Sequence, residues 1–69
     1  MTAVTLNGQA RELPAGATVE QAVREAGAPG QGQGVAVAVD GEVVPRGQWA
    51  ATALREGQHV EVLRAVQGG

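Results

Sequence analysis

Apolar and polar positions alternate from the start of the chain. Val4 and Leu6 interleave with Ala3 and Thr5, the period of a strand with one buried face. Asn7-Gly8 follows, and because both residue types tolerate positive φ the pair predicts a type I′ turn, with a second strand returning over Gln9 to Leu13. Pro14, Ala15 and Gly16 break that strand. Thr18 then stands where an N-cap belongs, and Gln21 completes a capping-box pattern. Val19, Ala22, Val23 and Ala26 recur at helical spacing and leave Glu20, Gln21, Arg24 and Glu25 on the opposite, wet side. Gly27 suits the left-handed position that closes a helix, and Pro29 prevents its continuation.

Residues 28–34, Ala-Pro-Gly-Gln-Gly-Gln-Gly, offer few side chains to pack and read as a mobile connector inside one domain. Alternation then resumes. Val35, Val37 and Val39 share one face of a strand that ends at Asp40-Gly41, a second hairpin signal, with Glu42-Val43-Val44 as its return arm. Pro45 stops that arm. Arg46 to Leu54 reads as irregular or as a short helical turn anchored by Trp49 and Leu54, and His59 to Val66 as a last strand after the turn at Glu56-Gly57-Gln58. The order β-β-α-β-β-β, with one apolar helix stripe to cover one sheet face, is that of an α+β β-grasp, or ubiquitin-like, domain: about five strands in a mixed sheet with one main helix. The expected core is Val4, Leu6, Leu13, Val19, Val23, Val37, Val39, Val44, Leu54, Val60 and Val62.

Length confines this to a single domain spanning residues 1–69, and the core must be thin, since Trp49 is the sole aromatic residue. A self-contained multistep enzyme is not expected on such a chain. The absence of Cys removes disulfides, thiolate metal sites and cysteine nucleophiles, and disfavours a secreted mini-protein. No secretory signal or membrane-spanning run is visible, so a cytoplasmic location without membrane association is expected. Net charge is −2, and the five Arg, at 11, 24, 46, 55 and 64, are scattered, which gives no basic stripe for nucleic acid.

Candidates for chemistry within the domain are weak. His59 is the single histidine and shows no sequence-evident partner, so a solvent-facing role is expected of it. Glu12, Glu20, Glu25, Asp40, Glu42, Glu56 and Glu61 have no metal-like spacing, and neither a metal site nor a bound cofactor is expected. Gly30 to Gly34 fails the spacing of a dinucleotide loop and leads into a strand instead of a helix. Trp49 could stack on a ligand, but one large aromatic in a core of Val and Leu is expected to pack inside it. The end of the chain differs. Gly68-Gly69 contributes neither packing nor strand propensity, and residues 66–69 are expected to form a thin, flexible extension that a partner's channel could close around. Its α-carboxylate is ionised at neutral pH and a poor electrophile until an oxygen becomes a leaving group, so activation would have to come from another enzyme with a nucleotide.

Leu6-Asn7-Gly8, the run Val37-Ala38-Val39-Asp40-Gly41-Glu42-Val43-Val44-Pro45-Arg46, Trp49, Gly57-Gln58-His59-Val60-Glu61-Val62 and the terminal Val66-Gln67-Gly68-Gly69 together resemble the ThiS family of ubiquitin-like sulfur carriers of thiamine (thiazole) biosynthesis. The resemblance covers nearly the whole chain. It departs from the family at Asp40, where Asn is frequent, and at Gln58, where Asp is frequent. What it implies is a protein cosubstrate with no catalytic residues of its own. An E1-like adenylyltransferase of the ThiF type would use ATP to adenylate Gly69, and a sulfur donor such as a cysteine desulfurase relay would convert the adenylate to a thiocarboxylate. Thiazole synthase of the ThiG type would then accept the sulfur. Gly68 would keep the approach unobstructed, and Leu63, Arg64, Val66 and Gln67 would contact the partners. The same terminus would serve a carrier for molybdopterin or tRNA thiolation, and a noncovalent β-grasp interaction module would not need it at all.

Overall fold

In the computed structural model, which describes residues 1–27 and 34–64, both dipeptide signals make the turns expected of them. Asn7 and Gly8 adopt φ of 50° and 81°, Asp40 and Gly41 of 50° and 86°. These are type I′ values, whose twist matches that of the strands they join. The first turn links β1 (Thr2–Leu6) to β2 (Gln9–Leu13), with Leu6 opposite Gln9. The second links β3 (Val35–Val39) to β4 (Glu42–Val43), with Val39 opposite Glu42.

Between the hairpins lies α1 (Val19–Glu25), capped by Thr18, whose hydroxyl oxygen accepts the Gln21 N–H at 3.4 Å. Its Val19, Ala22 and Val23 are buried, as the stripe requires, and Gly27 closes it at φ 75° with its N–H on the Arg24 carbonyl. After β4, a 3-10 helix, η1 (Arg46–Ala51), returns to the same side of the sheet as α1. A crossing of two short segments ties this layer together: the Val19 N–H donates to the Thr52 carbonyl at 2.9 Å and the Leu54 N–H to the Ala17 carbonyl at 2.8 Å. Finally β5 (His59–Arg64) enters the sheet.

The strand order is β2-β1-β5-β3-β4, with β5 parallel to β1 and antiparallel to β3. That puts the last strand in the centre, where it pairs on both sides. One face of the sheet carries the core, in which Val4, Leu6, Leu13, Val37, Val39 and Val60 meet Val19, Val23, Trp49 and Leu54. The core also contains Ala17 and Ala22, which the expected set lacked. Val44 and Val62, expected inside, are half-buried at its margin. The reason is positional: Val44 follows the short edge strand, and Val62 lies on β5 beyond Val60, the last β5 residue in register with β1. The expected connector, apart from Gly34, and the expected extension at 66–69 lie outside the described residues.

Candidate functional site

The candidate site is the end of β5, from which the chain continues to its carboxyl terminus. Because β5 is central, two neighbours fix its course. On the β3 side the antiparallel register runs from Val39 opposite Val60 to Val35 opposite Arg64. On the β1 side the Thr5 N–H donates to the Gln58 carbonyl and the Asn7 N–H to the Val60 carbonyl, each at 2.9 Å.

Both hairpin turns reach β5 with side chains as well. Asp40 Oδ1 accepts the His59 N–H at 2.9 Å while the Asp40 N–H donates to the His59 carbonyl at 2.8 Å, so the start of the strand is gripped twice. Gln58 Nε2 donates to Asp40 Oδ2 at 3.3 Å, and Gln58 Oε1 accepts the Arg55 N–H at 2.7 Å. At the other end, Asn7 Oδ1 accepts the Val62 N–H at 2.8 Å. Asn and Asp are the side chains that combine tolerance of positive φ with an oxygen at this reach.

The face of the sheet away from α1 is nearly free of bulk around this end. Side chains alternate across a strand, so Leu63 and Glu61 of β5 share that face with their register partners Ala36 and Ala38 of β3. Val43 of β4 lies opposite Ala38 and extends the same surface. Leu63 is 58% exposed and Val43 73%, the large apolar side chains of the described sheet that face solvent most fully. Small alanines between them leave a shallow apolar surface bordered by the Glu61 carboxylate.

The expected site residues fall into two groups. Leu63 is on this open face and Arg64 is the last residue of β5, its backbone opposite Val35. Val66, Gln67, Gly68 and Gly69 lie outside the described residues. Asn7 was expected only as a turn residue, and the signal that could have revealed more is its side chain, since the turn alone would accept Gly. His59 is exposed on the open face and held through its backbone. Trp49 is 4% exposed, its indole N–H donating to the Val44 carbonyl at 2.9 Å, so it packs in the core and leaves no face for a ligand. A groove of about 310 Å³ lies between the β3–β4 turn and η1, lined by Asp40, Val43, Pro45, Gln48 and Thr52 among others. It adjoins the start of β5, roughly 17 Å of strand from the end that leads to the terminus. Among the described residues no group of His, Asp and Glu could hold a metal ion, and no helix is long and apolar enough to cross a membrane.

Comparison with known proteins agrees with the fold. The model of the ThiS family matches residues 4–69. The curated sulfur carrier protein ThiS of Escherichia coli (strain K12) is 29% identical over 66 residues, covering 96% of this chain and 97% of that protein. The crystal structure of the thiamine biosynthesis protein ThiS from Geobacter metallireducens superposes with a TM-score of 0.76 at 27% identity, covering 99% of this chain and 100% of that one.

Proposed function

The chain belongs to the ThiS family, and from that premise we propose that Gly69 is the sulfur-bearing residue of a sulfur carrier protein of thiamine biosynthesis. The observation that carries the reading is the extent of the family match, which runs through Gly68 to Gly69 itself. The chemistry follows from what a carboxylate lacks. One carboxylate oxygen attacks the α-phosphorus of ATP on an E1-like adenylyltransferase of the ThiF type, pyrophosphate leaves, and the acyl carbon gains AMP as its leaving group. The persulfide carried by a cysteine desulfurase relay then attacks that carbon through its outer sulfur and displaces AMP, giving an acyl disulfide. A second thiol attacks the relay's sulfur, the S–S bond breaks, and the thiocarboxylate leaves as the two relay sulfurs end in a disulfide. Thiazole synthase of the ThiG type takes the sulfur into the forming ring. ATP is bound by the partner, and this chain serves as cosubstrate.

The domain contributes presentation. Gly68 and Gly69 carry no Cβ, so a narrow channel can close on the backbone and align the terminal carbon for in-line attack. Docking falls to the open face around Leu63, which precedes the last residue of β5 and joins Ala36, Ala38 and Val43 in one apolar surface. The residues after β5, Val66 and Gln67 with them, would enter the partner's channel.

The test is to incubate the purified chain with the E1-like enzyme, ATP and a sulfide source and to measure its intact mass. A gain corresponding to replacement of one oxygen by sulfur, absent in a variant lacking Gly69, is the expected result. Gly68→Trp should also abolish the gain while leaving the melting temperature unchanged. No adenylate and no thiocarboxylate, with an adenylyltransferase shown to be active on another carrier, would overturn the reading.

A further inference from the structure

The parallel ladder between β1 and β5 contains a substitution of side chain for backbone. Its slanted pattern, having joined the Thr5 N–H to the Gln58 carbonyl and the Asn7 N–H to the Val60 carbonyl, would next hand the Val62 N–H to the carbonyl of residue 7. Asn7, however, has already turned to φ 50° to begin the hairpin. Its side-chain Oδ1 takes the Val62 N–H at 2.8 Å instead. Asn7 thereby holds two successive polar groups on the β1-facing edge of β5, the Val60 carbonyl and the Val62 N–H. Past this point the described part of β5 runs on through Leu63 and Arg64, whose sheet register is with β3, opposite Ala36 and Val35.

We propose that Asn7 is a positioning residue for sulfur loading: by holding Val62 it keeps the β1 flank of β5 closed to within two residues of the strand's end, and so steadies the strand that carries the terminal carboxylate while the open face is docked. This rests on the carrier reading. Asn7 is not part of the proposed docking surface of Leu63, Ala36 and Val43, so its influence is on how often a docked carrier presents its carboxylate in line, which belongs to kcat.

Two variants test it. Asn7→Gly keeps the turn, since Gly-Gly also forms type I′, and removes the acceptor; Asn7→Asp keeps an oxygen at the same reach. In Asn7→Gly, amide exchange at Val62 should quicken relative to Val60, and kcat of adenylation should fall by roughly fivefold, the equivalent of one net hydrogen bond, at unchanged KM for the carrier. Asn7→Asp should restore both quantities. Melting curves verify that each variant is folded at the assay temperature. An unchanged kcat in Asn7→Gly, a loss expressed only in KM, or a failure of Asn7→Asp to restore it would overturn the positioning role. A wild-type chain that is never adenylated would overturn the carrier reading and this role with it, an outcome separate from the others because it is read before any substitution is made.

Discussion

Trp49 shows how one residue can carry much of a small core. It is the chain's single aromatic residue, it is 4% exposed, its N–H is satisfied by the Val44 carbonyl, and the Arg46 guanidinium lies 5.9 Å from its ring centroid. Trp49→Ala should therefore remove both volume and a partner for a carbonyl, at about 3–5 kcal/mol, measurable as a fall in the urea midpoint. The choice between packing and ligand stacking was legible from composition, because the remaining apolar residues are too small to fill a core unaided. The Asp40–Gln58 contact was less so. Sequence marked both as departures at turns, and the structure shows them to be one pair, in which Gln58 donates to the Asp40 carboxylate.

The elements were legible wherever a local rule decides them. Asn-Gly and Asp-Gly specify turn type, the Val19–Ala26 stripe specifies a buried helix face, and Thr18 specifies where that helix starts. Thr18→Ala should consequently cost about 1 kcal/mol, read from the shift in thermal midpoint, because it leaves the Gln21 N–H without its acceptor at the helix start. What local rules missed were depths of burial. Ala17 is a core residue before the helix begins, outside any periodic stripe, while Val62 has the pattern of a core residue but lies beyond the described β1–β5 register. Asn7 was missed as a tether for the same reason: the acceptor role of its side chain exists only once β5 is beside it.

At the scale of the molecule, strand order was beyond reach of the pattern. Nothing in the alternation of His59 to Leu63 says that this strand lies between β1 and β3; that follows from pairings between distant parts of the chain. Its consequence is that the described strand ends, at Arg64, next to Leu63, which is 58% exposed on the open face. Leu63→Glu should leave stability within ~0.5 kcal/mol, as an exposed substitution, yet raise the carrier KM of the adenylyltransferase by about tenfold, since burying an apolar side chain of this size at an interface is worth ~1.5–3 kcal/mol. Steady-state kinetics over a range of carrier concentrations decides it.

The central place of β5 also has a mechanical meaning. Force applied at Arg64 along the strand meets hydrogen bonds that lie across the pull on both flanks, to β1 and Asn7 on one side and to β3 on the other. Such bonds share the load in shear, whereas an edge strand pulled sideways peels away one bond at a time. An enzyme that draws the terminus into its channel would thus have to break this set together before the domain began to unravel.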